Sequence, residues 1–130
     1  MDGKLITLEK DERHAQIALQ HFRDAAVEDW VDVRVVDAHE ILSSLSTEGP
    51  FDLVFIDAEK PGYADYYEWA VENVRRGGII AIHNAFRKGT VFLDEEKDQF
   101  TDMMHEFNQH VANDLRVIAT IFPAGDGMIT

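Results

Sequence analysis

Phe51-Asp52-Leu53-Val54-Phe55-Ile56-Asp57-Ala58-Glu59-Lys60 is the stretch that decides the fold. Gly49-Pro50 precedes it, and from Phe51 to Ile56 only Asp52 interrupts the apolar run. A short continuous apolar segment of this kind predicts a strand buried on both faces in a parallel sheet. Asp57 and Lys60 appear where the run stops, and Pro61-Gly62 then marks a turn. In open α/β sheets, ligands bind outside the carboxyl ends of the strands, so this acid and amine are the first candidates for chemistry.

Outward from that strand, β-like and helical patterns alternate. Lys4 to Leu8 predicts a short strand ending at Glu9, and Asp11-Glu12 opens a helix with Ala15, Ala18, Leu19, Phe22 and Ala25 at helical spacing. Val31 to Val36 predicts a second strand, ending at Asp37-Ala38-His39 ahead of a short helix through Ile41, Leu42 and Leu45. After the Phe51 strand, a helix from about Ala64 to Val74 is expected to bury Tyr67, Ala70, Val71 and Val74. Its end is read at Arg75-Arg76 and Gly77-Gly78. Ile79 to Ile82 is a fourth strand, closed by His83-Asn84. A polar loop with Gly89 and Asp94-Glu95-Glu96 leads to an amphipathic helix marked by Phe100, Met103, Met104, Phe107 and Val111. Leu115 to Phe122 predicts a fifth strand, which Pro123 to Gly127 turns into the short run Met128-Ile129. That turn is too short for a parallel crossover, so the last pair is expected to be antiparallel. The pattern gives one α/β domain over 1–130, a Rossmann-like, doubly wound, mostly parallel sheet with an antiparallel C-terminal edge.

Composition narrows the function classes. The chain has 130 residues, 45% of them apolar, with no cysteine and a formal charge of −13. An acidic chain lacks the cationic face that phosphate backbones require, which argues against nucleic acid and anionic membrane surfaces. No apolar run approaches the ~20 residues of a membrane span. The absence of cysteine excludes disulfides and thiolate metal sites and fits a reducing, cytoplasmic compartment.

Under right-handed crossovers the parallel strands deliver Glu9, Asp37, Asp57 and His83-Asn84 to one rim. Asp57, His83 and Asn84 could form a cation site of mixed oxygen and nitrogen donors. Glu9 and Asp37 could accept hydrogen bonds from ribose hydroxyls or an adenine amino group. Lys60 could act as a base if burial or a nearby cation lowers its pKa. His14, His21, His105 and His110 lack the i, i+4 spacing of helical metal sites and read as surface or capping residues. Tyr63, Tyr66, Tyr67 and Trp69 read as a helix packing face, with Tyr63 close enough to Lys60 to line a pocket.

With these residues in place, the chain resembles the cation-dependent, S-adenosylmethionine-using O-methyltransferases of the catechol and caffeoyl-CoA type. Phe51–Lys60 carries the resemblance, supported by Leu5–Glu9, Val33–Ala38, Arg76-Gly77-Gly78 and Gly125-Asp126-Gly127. It implies that Glu9 binds the cofactor ribose, that Asp37, Ala38 and His39 flank the adenine, and that Asp57 binds a metal. It further implies Lys60 as the base that deprotonates the hydroxyl of a small catechol-like acceptor, with attack in line on the cofactor methyl. Two departures stand out. The family pattern has Asp-Asn where this chain has His83-Asn84, which either shifts the expected cation from Mg²⁺ toward Mn²⁺, Zn²⁺ or Fe²⁺ or abolishes the site. The sequence also starts on what resembles the family's second strand. The expectation is therefore a domain truncated at the N-terminus, weak cofactor binding, and exposed strand edges that favour self-association into a homo-oligomer.

Two other readings compete. A phosphoacceptor receiver domain would place an acidic group at Glu9, Asp11 and Glu12 and its acceptor at Asp57, but it lacks a Ser or Thr ending the fourth strand and a Lys ending the fifth. A non-catalytic methyltransferase remnant used as an interaction module is the third.

Overall fold

The computed structural model describes residues 3–93, 98–123 and 125–130; Asp94-Glu95-Glu96 of the expected acidic loop lie outside them. The chain forms two compact units, one running through Thr47 and the other starting at Glu48.

In the first unit, β1 (Leu5–Glu9) pairs in parallel with β2 (Val31–Val35), Glu9 standing opposite Val35. A parallel pair needs a long crossover, which α1 (Glu12–Asp24) supplies. Asp11 caps α1, its carboxylate accepting from the Arg13 and His14 amides at 2.8 and 3.2 Å. Of the helically spaced apolar residues, Ala15 is buried and Ala18, Leu19 and Phe22 are half-buried. After β2, Asp37 caps α2 (Ala38–Leu45) by accepting from the His39 amide at 3.0 Å, so the helix begins inside the Asp37-Ala38-His39 triplet.

The second unit holds a four-stranded sheet in the order β3-β4-β6-β5. β3 (Phe51–Ile56) and β4 (Val74–His83) are parallel and joined through α3 (Tyr63–Asn73). After α4 (Gln99–Asn113), β5 (Ile121–Phe122) and β6 (Met128–Ile129) form the expected antiparallel pair. β6 also pairs antiparallel with β4, so it lies inside the sheet and β5 forms the edge. The core is built by Tyr63, Tyr67, Ile82 and Met104, each less than 2% exposed. Phe107 meets the rings of Tyr63 and Tyr67 edge-on, with centroids 5.7 and 5.8 Å away. Among the described residues no helix is long and apolar enough to cross a membrane.

The fold is the Rossmann-like, parallel-dominated α/β arrangement expected, with four corrections. First, the strands fall into two sheets, since β1 pairs with β2 and β3 with β4. Second, β3 is not buried on both faces: Leu53 and Phe55 are 54% and 55% exposed, in a strand that ends its sheet among the described residues. Third, Arg75 and Arg76 belong to β4 and do not end α3. The register shifts between Phe51↔Val74 and Leu53↔Ile79, and this irregularity absorbs Arg75 to Gly78. A Cβ at Gly78 would stand 2.8 Å from the Asp52 carbonyl oxygen, so the two chains approach closely there. Fourth, only Ile121–Phe122 of the expected Leu115–Phe122 strand is formed, because its ladder partner is as short as β6.

Candidate active site

The parallel register of β3 and β4 sets Ile56 opposite Ile82, which brings the residues that follow, Asp57 and His83, side by side. His83 Nδ1 lies 3.4 Å from Asp57 Oδ1. That nitrogen is buried and has no hydrogen-bond partner among the described residues, so its approach to the carboxylate oxygen is a contact without hydrogen-bond geometry. A buried polar atom left unpaired is costly, and such atoms mark places where a further ligand can be accepted.

Lys60 opens a single 3₁₀ turn, Lys60–Gly62, ahead of α3. Its Nζ donates to Asn84 Oδ1 at 3.0 Å and to the Tyr63 hydroxyl at 2.5 Å. The Tyr63 hydroxyl in turn donates to the His83 carbonyl at 3.2 Å. Nζ also stands 4.2 Å from the centroid of the Tyr63 ring. Burial lowers the Lys60 pKa from the usual lysine value; Asp57 and Asp126 oppose that shift and Arg87 reinforces it. Burial, reinforced by Asp57, pushes the Tyr63 phenol far up, so it stays neutral.

Asn84 adopts a positive φ of 65° at the end of β4. Its amide faces two ways, Oδ1 accepting from Lys60 and Nδ2 donating to Asp126 Oδ2 at 3.1 Å. Asp126 also accepts from the Lys88 amide, and its carbonyl accepts from the Phe86 amide at 2.8 Å. The β5–β6 turn is thereby tied to the segment after Asn84. Gly127 makes this possible: its φ is +77°, and a Cβ there would stand 2.7 Å from the Phe86 ring. Asp126 was not among the expected site residues, although its Gly125-Asp126-Gly127 setting was visible in the sequence.

Thus the second unit brings Asp57, Lys60, His83 and Asn84 together, with Tyr63 beside Lys60 as expected, and adds Asp126. The remaining expected residues belong to the first unit. Parallel pairing puts Glu9 and Asp37 at one end of its sheet, where the Val36 amide donates to the Glu9 carbonyl at 3.1 Å. Glu9 Oε1 accepts from the Asp11 amide at 2.8 Å, and Oε2 lies 3.8 Å from His14 Nδ1. Asp37 Oδ1 stands 3.5 Å from His39 Nδ1. Ala38, half-buried, is the first residue of α2.

A third group was not expected. Glu68, His110 and Asp114 present ligand atoms within 4.8 Å of one another. Arg116 already serves as their cation, 2.9 Å from Glu68 Oε1 and 2.7 Å from Asp114 Oδ2. Its guanidinium, with the Arg116 amide and the Tyr67 hydroxyl, holds the Asp114 carboxyl well below the usual carboxylate range. The cluster is a structural ion-pair network that ties the start of the β5 segment to α3 and α4.

A parallel-dominated α/β sheet with its polar residues gathered beyond the strand ends is a ligand-binding fold of the Rossmann-like class. An O-methyltransferase family model matches residues 1–130. The chain is 37% identical over 122 residues to a catechol O-methyltransferase of Niastella koreensis, covering 92% of this chain and 55% of that protein. It is 39% identical over 94 residues to a catechol O-methyltransferase of Mycobacterium tuberculosis, covering 72% of this chain and 42% of that one. The crystal structure of the O-methyltransferase from Bacillus cereus in complex with SAH superimposes with a TM-score of 0.86 at 34% identity. That match covers 99% of this chain and 62% of the other. The chain belongs to the O-methyltransferase family, and it spans about half the length of the curated relatives it matches. The phosphoacceptor receiver reading is not favoured by these matches.

Proposed function

We propose that this chain carries the acceptor-activating part of an S-adenosylmethionine-dependent O-methyltransferase, with the hydroxyl of a small catechol-like molecule as methyl acceptor. The observation that carries this reading is the setting of Lys60. A half-buried amine with a lowered pKa lies against Asn84 and Tyr63, one residue pair from Asp57 and His83. Unprotonated, Nζ can take the proton of an acceptor hydroxyl placed at this rim. Tyr63 stays a neutral phenol and Asn84 is oriented by Asp126, so both hold the amine at a fixed point. Bound S-adenosylmethionine would supply a sulfonium methyl, which the deprotonated acceptor oxygen would take as the carbon–sulfur bond breaks and the neutral thioether leaves.

The donor set fits a divalent cation: Asp57 Oδ1 and the unpaired His83 Nδ1 lie close together, with Asn84 Oδ1 as a further donor. A bound cation would supply charge stabilisation for the developing oxyanion. One nitrogen among oxygen donors favours Mn²⁺, Zn²⁺ or Fe²⁺ over Mg²⁺. On the cofactor side, Glu9 would accept from the ribose hydroxyls, with Oε2 keeping acceptor capacity, while Asp37, Ala38 and His39 would flank the adenine and Asp57 would face the cofactor. We read residues 1–130 as one partial methyltransferase domain working in the cytoplasm, with no nucleic-acid or membrane partner and with self-association through its strand edges.

Radiolabelled methyl transfer to a catechol at millimolar cofactor tests this. Transfer should rise with pH through the lowered Lys60 pKa, since the base is the unprotonated amine. Lys60→Met should cut it by about 10²–10⁴-fold. Transfer undiminished in Lys60→Met would remove Lys60 from the reaction.

A further inference from the structure

Three residues past Asn84 the chain makes a turn that its side chains resist. Arg87 and Lys88 both hold left-handed backbone, with φ of 48° and 55°, ahead of Gly89 at 86°. Only the glycine adopts that region without penalty, and side chains kept there against their preference concentrate where a ligand is handled. The turn is held from three sides. The Arg87 amide donates to the Asn84 carbonyl at 3.3 Å and the Gly89 amide to the Phe86 carbonyl at 2.8 Å. The Lys88 amide donates to the Asp126 carboxylate. Thr90 Oγ1 donates to the Arg87 carbonyl at 2.7 Å and, its one proton so used, accepts from the hydroxyl of the fully buried Thr101 on α4 at 3.0 Å.

What this turn presents is a guanidinium with spare capacity. Arg87 Nη2 reaches both carboxylate oxygens of Asp98, at 3.2 and 3.3 Å, while Nε is buried without a hydrogen-bond partner among the described residues. A guanidinium fork matches a planar carboxylate two parallel bonds at a time, and one nitrogen straddling two oxygens uses it poorly. The Phe100 ring flanks the cation, its centroid 5.9 Å from Cζ. The pair with Asp98 is readily exchanged. The Asp98 side chain is 57% exposed, and exposed ion pairs contribute little. Its Oδ1 also accepts from the Thr101 amide at 2.9 Å as the cap of α4, so Asp98 keeps a partner when the guanidinium turns away. Arg87 stands close enough to Lys60 for its charge to disfavour the protonated amine, which puts both cations at one rim.

We propose that Arg87 selects the methyl acceptor by taking the carboxylate of a catechol acid, the ligand's two oxygens replacing those of Asp98 on the guanidinium fork. This rests on the reading of Lys60 as the base and narrows its acceptor to a catechol that carries a carboxylate. A chain of charge −13 repels anions generally, so a carboxylate held at this rim needs a local cation. One planar fork suits the two oxygens of a carboxylate, and Asp98 already shows that chemistry on the same nitrogen.

Calorimetric titration of the full chain with dimethoxybenzoate and with its neutral amide separates carboxylate recognition from methyl transfer, since neither has a hydroxyl to methylate. The acid should bind at least about tenfold tighter than the amide and should shift the Arg87 Nε–H resonance. Arg87→Gln should erase that preference. Arg87→Gly, which relieves the left-handed backbone, should erase it while keeping or raising the denaturation midpoint, so that lost binding is not lost folding. Asp98→Asn retains a good helix cap and removes the competing carboxylate, so it should tighten the acid. Equal affinity for acid and amide, none for either included, overturns the inference. So does a preference that survives Arg87→Gln, or an acid affinity lowered by Asp98→Asn. An Arg87-dependent preference with no methyl transferred to dihydroxybenzoate would support the carboxylate site and contradict the Lys60 reading, which keeps the two failures apart.

Discussion

In the unit that ends at Thr47, Ala15 and Leu45 are the buried residues among those described, whereas the unit that starts at Glu48 encloses Tyr63, Tyr66, Tyr67, Ile82, Met104 and Phe107. Both are βα arrangements with capped helices and parallel pairing, so local sequence rules serve them equally. They differ in what the sheet has to pack against. The two-stranded sheet of the first unit offers little apolar area, and two strands alone are marginal. The second unit stacks two helices carrying aromatic side chains on four strands. The difference bears on function, because the proposed base and cation donors stand on the well-packed unit and Glu9, Asp37, Ala38 and His39 on the thin one. The proposed acceptor side is built on the better-packed unit; the proposed cofactor side rests on helix caps and one short ladder.

The largest expected effect is on the packed unit. Phe107→Ala, which empties the space between the Tyr63 and Tyr67 rings, should lower its stability by about 3–5 kcal/mol in urea denaturation. A loss below about 1 kcal/mol would mean that the two units are less different than their burial implies. Native-state hydrogen exchange should show β1 and β2 amides opening at least about 2 kcal/mol more easily than those of β3 and β4. Equal protection would dissolve the comparison.

Smaller effects sharpen it. Tyr67→Phe removes the hydroxyl that donates to Asp114 at 2.9 Å and should cost about 1 kcal/mol, read from the urea midpoint. Asp37→Ala removes the cap of α2 and should cost about 1 kcal/mol or slightly less, confined to exchange in the first unit. The pH dependence has a definite sign. The Asp114 carboxyl is depressed in the folded chain by Arg116, so its stabilisation is present above the ordinary carboxylate pKa. It is lost as pH falls through the lowered value. Asp114→Asn should flatten that acid limb in a denaturation series between about pH 5 and 2.

Much of this was legible in the residues. Asp57, Lys60, His83 and Asn84 could be placed together because parallel strands deliver their ends to one rim, and the register Ile56↔Ile82 does so here. Asp11 was readable as a helix start from its own local chemistry, whereas Asp37 read as a strand end and proved to cap the helix that follows. What the chain concealed depends on partners distant in sequence. Leu53 and Phe55 look buried in any parallel strand, but burial requires a covering layer. Leu115 to Thr120 has strand-forming side chains but needs a ladder to become a strand. Arg75-Arg76-Gly77-Gly78 looks like a helix stop because nothing local announces that β4 begins at Val74 through a shifted register. Asp126 belongs to the site through a contact with Asn84 that spans 42 positions, and only its flanking glycines hinted at a constrained turn.

The claim that Asp57, His83 and Asn84 form a cation site on a ready-made scaffold is tested most directly by titrating Mn²⁺ into isotopically labelled chain and following paramagnetic broadening. At substoichiometric metal, the account predicts broadening that starts at the Asp57, His83 and Asn84 amides and disappears from them in His83→Ala. Broadening that begins at Glu68 and Asp114, or spreads evenly over the acidic surface while those three signals stay sharp, would contradict it.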